Sequence, residues 1–164
     1  ADIFWLRVKK TEDSFFRAKE YAFLLLKYSL RSEKEIYQRL KKKKFPEGII
    51  QETLFFLRDK KFIDDNFFAK TWIESRLKKP LGLRRIKQEL KLKGLDKEII
   101  DSQIGEIKKG YSEQEIVIKV ARQRLSKLKG IEPVKAKSRV YGYLLRRGFS
   151  PEIVIDVLNQ SHTA

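Results

Sequence analysis

The stretch IKQELKLKGLDKEI, residues 86–99, decides how this chain folds. Its large apolar residues Ile86, Leu90, Leu95 and Ile99 are separated by 4, 5 and 4 positions, and the same spacing recurs in IYQRLKKKKFPEGI (36–49) and VYGYLLRRGFSPEI (140–153). A step of four keeps two side chains on one helical face, and each copy reads as helix, tight turn, helix. Gly94 and Gly148 stand where a left-handed C-terminal cap is wanted, and Lys44 holds that place in the first copy at some conformational cost. The following helix begins at Pro46, at Asp96 as cap, or at Ser150 followed by Pro151, residue types suited to first positions.

Outward from these cores the pattern continues. The buried face of the third helices is Ile49, Ile50, Thr53, Leu54 and Leu57, matched by Ile99, Ile100, Gln103, Ile104 and Ile107 and by Ile153, Val154, Val157 and Leu158. A longer helix precedes each pair: about 14–30 with Ala22, Leu25 and Leu26 inward, about 65–79 with Phe68, Ala69, Trp72 and Ile73, and about 112–129 with Ile116, Val120, Ala121 and Leu125. The expected fold is all-α: three tandem three-helix repeats at 14–61, 62–110 and 111–164, preceded by an N-terminal arm at 1–13. IFWLRV within that arm could form a short strand or an ordered extension. Units this small bury too little surface to be secure alone, so the three are expected to stack into an elongated, curved array.

Asp64 and Asp65 form an adjacent carboxylate pair at the start of a helix. A carboxylate there accepts hydrogen bonds from free backbone amides and meets the positive end of the helix dipole. With Asp64 as cap, Ile63 and Phe68 fall at the positions of a hydrophobic staple. A metal or acid–base role would need further ligands, and the neighbours Asn66, Phe67 and Phe68 supply none.

Lys and Arg outnumber Asp and Glu by 38 to 22, a net charge of +16 that attracts polyanions and gains affinity by releasing their counterions. The charge is uneven. Residues 76–94 hold eight cations (Arg76, Lys78, Lys79, Arg84, Arg85, Lys87, Lys91, Lys93) against Glu89 alone, and 31–44 hold seven, including Lys41, Lys42, Lys43 and Lys44, against Glu33 and Glu35. The third helices carry the opposite sign, with Asp96, Glu98, Asp101 and Glu106 facing only Lys97. Arg84, Lys87 and Lys91 form an i, i+3, i+7 stripe about 100° from Leu83, Ile86 and Leu90. Its counterparts are Lys34, Tyr37 and Lys41 in the first repeat and Ser138, Tyr141 and Leu145 in the third, where Lys135, Lys137, Arg139, Arg146 and Arg147 surround it.

Catalysis has little to work with. Cysteine is absent, which excludes disulfides, thiol chemistry and cysteine zinc sites. His162 is the one histidine, in a tail with no partner motif; no phosphate-binding glycine loop, nucleophile motif or metal-ligand spacing is present, and Tyr37, Tyr141 and Tyr143 read as packing or interface residues. The expectation is a protein without enzymatic activity, cofactor or metal. With no signal-peptide pattern, and no apolar run near the roughly 18 residues of a membrane span, the cytosol is the expected compartment.

The stretch from Asp64 to Leu95 resembles the RecX family, in which two aspartates followed by an aromatic and a small residue open one helix and R…G…RI…QEL…KG marks the next pair. Here these features are Asp64, Asp65, Phe68, Ala69, Arg76, Gly82, Arg85, Ile86, Gln88, Glu89, Leu90, Lys93 and Gly94. LLKYSLRSEKEIYQRLKKK (25–43) and YGYLLRRGFSPEIVIDVL (141–158) extend the likeness more weakly over nearly the whole chain. Pro80 followed by Gly82 departs from the family's frequent Gly-Pro turn. The resemblance implies three tandem three-helix repeats and a modulator of the RecA recombinase, and a monomer is the expected state. Such a modulator binds in the groove of the RecA filament on single-stranded DNA, suppresses ATP hydrolysis and strand exchange, and touches the DNA itself weakly and without sequence preference. Charge geometry places the contact at Lys78, Lys79, Arg84, Arg85, Lys87, Lys91 and Lys93, with Lys41, Lys42, Lys43, Arg146 and Arg147 at its flanks.

Two rival readings share the electrostatics. A direct reader of duplex DNA must insert a recognition helix into a phosphate-lined groove, and the net negative third helices oppose that. An RNA-binding helical array fits the same charges.

Overall fold

The computed structural model describes residues 2–160, so His162 lies outside the described residues. Among the described residues the chain forms nine α-helices and no strand. The first repeat holds α1 (Asp2–Tyr28), α2 (Glu33–Lys42) and α3 (Glu47–Asp59); the second α4 (Asp65–Leu77), α5 (Leu83–Leu92) and α6 (Lys97–Lys108); the third α7 (Glu113–Ser126), α8 (Pro133–Arg146) and α9 (Pro151–Gln160). None is long and apolar enough to cross a membrane.

The 4, 5, 4 template is the core. Ile36, Leu40, Ile49, Ile86, Leu90, Leu95, Val140, Leu144 and Phe149 are buried, and Phe45, Ile99 and Ile153 are half-buried. Each large side chain removed from water contributes roughly 1.5–3 kcal/mol. The five-residue step is a Schellman turn: in the first repeat the Phe45 and Lys44 amides donate to the carbonyls of Leu40 (3.3 Å) and Lys41 (2.9 Å), and in the third Phe149 and Gly148 donate to Leu144 (3.2 Å) and Leu145 (2.9 Å). Lys44, Gly94 and Gly148 all take the left-handed conformation, with φ of 63°, 80° and 86°.

One helix starts earlier than the sequence suggests. Residues 2–13, expected as an arm or strand, continue α1 without a break. Ile3, Phe4, Trp5 and Leu6 are 60–83% exposed on it, so no burial pattern announces this segment. α8, at 14 residues, is about one turn longer than α2 and α5, at 10 each.

The chain divides into two compact units, and the middle repeat is shared between them. One unit contains residues up to 69 together with 92–99, and its core is Ala18, Ala22, Ile36, Leu40, Ile50, Leu54, Leu57 and their neighbours. Here the α5–α6 turn lies against the start of α2. Ser32 Oγ donates to the Lys93 carbonyl (2.6 Å), Lys93 Nζ meets Glu35 Oε1 (2.7 Å), and a Cβ on Gly94 would fall 2.0 Å from the Lys34 side chain.

The other unit contains residues 70–91 and those from 100 onward, with a core that includes Val117, Val120, Ala121, Val140, Leu144, Phe149 and Val154. Here the α8–α9 turn lies against the start of α5 in the same manner. The Gly82 amide donates to the Arg147 carbonyl (2.8 Å), Arg85 Nη1 to the Arg146 carbonyl (3.3 Å), and a Cβ on Gly148 would fall 2.4 Å from Arg85 Cβ. Gly82 is needed as well, since its own Cβ would meet the Gly148 carbonyl oxygen at 2.1 Å. Each later turn therefore needs glycine twice over, for its φ and for space. Lys44 is exposed, so only the conformational cost applies and a lysine survives there.

Candidate nucleic-acid interface

α5 is anchored by Leu83, Ile86 and Leu90, all buried, which fixes which of its cations face water. Arg84 and Lys91 are exposed and have no carboxylate within ion-pair distance among the described residues; the same holds for Lys78 and Lys79 after α4. The other members of the expected set are engaged. Lys87 Nζ pairs with Asp101 Oδ1 of α6 (2.7 Å), Lys93 with Glu35, and Arg85 Nε with Glu89 Oε1 (3.4 Å). Glu89 is a hub: its Oε2 accepts from Arg76 Nε (2.8 Å) and Trp72 Nε1 (3.0 Å), and the Arg76 guanidinium stacks on the Trp72 ring at 4.4 Å. The structure thus splits the central cluster into cations that hold the fold and cations that remain available.

At the flanks, Lys41 Nζ donates to Tyr37 Oη (3.3 Å), Lys43 lies over the Tyr21 ring (5.3 Å), and Lys42 is exposed. Arg146 is exposed, while Arg147 Nε donates to Tyr143 Oη (3.0 Å).

The two aspartates divide their work. Asp64 Oδ1 accepts from the amides of Asn66 (2.9 Å) and Phe67 (3.2 Å), capping its own helix, and Ile63 and Phe68 are buried beside it. Asp65 Oδ1 accepts from the Glu33 amide (2.9 Å) and so serves the first turn of α2. Burial raises the Asp65 carboxyl above its ordinary value, and burial likewise raises Glu33 although Arg58 pairs with it. Among the described residues no group of three or more His, Cys, Asp or Glu is placed to hold a metal ion.

The third repeat carries a cluster that the sequence reading did not bring together. Arg124, Lys127, Arg139 and Arg146 surround a pocket of about 300 Å³ with Leu128, Val140 and Tyr143 in its wall. The Arg124 guanidinium stacks 3.8 Å from the Tyr143 ring centre. Burial pushes the Tyr143 phenol up, but hydrogen bonds and charge from Arg147 and Arg124 hold it below its ordinary value. The signal was present in register: with the caps Asp64 and Ser112 superposed, Arg76 falls on Arg124, and with Ile86 on Val140, Arg85 and Glu89 fall on Arg139 and Tyr143.

Tandem three-helix units, with cations crowded on and around the second helix of the middle one, define an all-α protein built from helical repeats. Sequence profiles described as the first, second and third three-helix domains of RecX match residues 18–57, 64–102 and 111–158. The chain belongs to the RecX family. It is 30% identical to "Regulatory protein RecX" of Clostridium beijerinckii, over 94% of this chain and 73% of that protein, and 32% identical to the Clostridium acetobutylicum protein of the same name, over 97% and 75%. The crystal structure of RecX from Lactobacillus salivarius matches with a TM-score of 0.79 at 22% identity, covering 91% of this chain and 97% of that one, and shares the fold.

Proposed function

We propose that this chain is a non-catalytic modulator, mainly an inhibitor, of the RecA recombinase. On this reading it binds the RecA filament on single-stranded DNA and alters its ATP hydrolysis, strand exchange and lifetime. Membership of a family whose relatives are named regulatory protein RecX carries the proposal. The net charge of +16 and the unpaired Arg84 and Lys91 on α5 support it, because a filament of nucleic acid and protein presents phosphates to such a face. The central contact then narrows to Lys78, Lys79, Arg84 and Lys91, with Lys42 and Arg146 outside it; Lys87 and Arg85 position α5 instead of meeting the partner.

The test measures RecA ATPase on single-stranded DNA as this protein is added, beside an Arg84→Glu, Lys91→Glu double variant. The wild type suppresses turnover, and the variant, with its helical signal intact, needs roughly tenfold more protein for the same effect. Unchanged ATPase and filament lifetime with wild type would sink the regulatory reading. Equal potency of the variant would sink the α5 assignment alone.

A further inference from the structure

Repeats two and three carry the same pair of arginines around different residues. In the second, Glu89 takes Arg76 and Arg85, so both guanidinium groups are neutralised within the chain. In the third the matching position is Tyr143, and Arg124 and Arg139 have no carboxylate within ion-pair distance among the described residues; nor do Lys127 and Arg146. Cations held together without an anion repel one another, and a bound anion relieves that repulsion. The pocket between them is not purely polar, for Leu128 and Val140 form an apolar floor.

We propose that this pocket binds one nucleotide of a bare single-stranded nucleic acid, its base on the Leu128 and Val140 floor and its phosphate oxygens taken by Arg124 and Arg139. The phosphate supplies the negative charge that Glu89 supplies in the second repeat and that Tyr143 does not. Arginine suits the role because its planar fork matches phosphate oxygens two at a time. An acidic peptide offers the charge, but a carboxylate alone leaves the apolar floor unused. Duplex nucleic acid offers phosphates with its bases already stacked inside, so it fills only the rim. The same chemistry is met by DNA and by RNA strands. This binding goes beyond the filament reading and does not require the recombinase.

The experiment follows fluorescence anisotropy of a labelled oligothymidylate, without RecA, at fixed salt. Two variants are compared with wild type: Tyr143→Glu, which recreates the internal pairing of the second repeat, and Arg124→Gln with Arg139→Gln, which removes the donors and keeps comparable size. Each is expected to weaken binding roughly tenfold, while a duplex of equal length binds wild type more weakly and responds less to either change. Retention of wild-type affinity by Tyr143→Glu, with its thermal transition intact, overturns the proposal. So does displacement of the oligothymidylate by polyglutamate at equal charge concentration, which assigns the pocket to acidic protein, and so does equal loss of duplex binding, which removes the base from it. Oligouridylate binding with the same dependence on Tyr143 supports the shared strand chemistry. Because the assay contains no recombinase, its failure leaves the ATPase result untouched, and an inert ATPase result leaves this one standing.

Discussion

Glu89 in α5 and Tyr143 in α8 occupy one register position in two copies of the same helix pair, and their arginine neighbours correspond, Arg76 with Arg124 and Arg85 with Arg139. In the second repeat a carboxylate gathers both arginines and the Trp72 indole into a closed network. In the third a phenol has Arg124 and Arg147 over its ring and accepts from Arg147, and the remaining charge stays open. Counting cations therefore overstates how much charge the second repeat leaves unpaired and understates it for the third. An interface is identified by the cations whose anion the chain does not itself provide.

The turns give the sharpest way to test whether the copies are equivalent. Gly148→Ala forces a Cβ into left-handed backbone and to within 2.4 Å of Arg85 Cβ, with expected losses of about 1 kcal/mol for conformation and roughly 1–3 kcal/mol for overlap. At the equivalent, exposed Lys44 the change to glycine removes the strain and is expected to raise stability by about 1 kcal/mol. Denaturant midpoints of the two variants check the pair. A mild effect of Gly148→Ala would mean that the α8–α9 turn does not press on α5 in solution.

Next in size is the hub itself. Glu89→Leu leaves the half-buried Arg76 without its carboxylate, removes an acceptor from the Trp72 N–H and is expected to cost about 2 kcal/mol, whereas Tyr143→Leu loses the hydrogen bonds and ring contacts shared with Arg147 and Arg124, about 1 kcal/mol. Thermal melts of both variants at one salt concentration make the comparison. Equal costs would show that the phenol closes its network as fully as the carboxylate does.

The fold was legible because apolar spacing is a local property. Ile86, Leu90 and Leu95 announce helix, turn and core without reference to any distant residue, and Asp64 sits in sequence beside the amides it caps. The site was legible only in part, since charge pairing is settled by residues far along the chain. Nothing near Lys93 foretells Glu35, and nothing near Lys87 singles out Asp101 among the acids of α6. Arg124 and Arg139 were hidden differently: they belong to two helices, and only copy-to-copy alignment shows that their expected carboxylate has become Tyr143. The first turns of α1 were missed because their apolar residues are exposed and so carry no amphipathic pattern.

The smallest expected effect separates the two repeats at the start of their first helices. Asp65 and Glu113 hold equivalent positions, yet Asp65 accepts from the Glu33 amide of the preceding repeat, while Glu113 Oε1 accepts from the Ser150 amide of its own (3.2 Å). Burial raises both Asp65 and Glu33 above their ordinary values, so the folded chain binds these protons more tightly than the unfolded one. Their contribution to stability is then full below the ordinary carboxylate range and is lost as pH rises through the raised folded values. Asp65→Asn keeps an oxygen for the Glu33 amide and removes the charge. Its melting temperature is expected to equal or exceed wild type at neutral pH, with the gap closing as the pH falls toward the ordinary aspartate range. Asp64→Ala, by contrast, removes a cap and is expected to cost about 1 kcal/mol at neutral pH. If Asp65→Asn melted well below wild type at neutral pH, the charge of Asp65 would be stabilising α2 through its dipole more than burial penalises it, and the contrast with its neighbour would disappear.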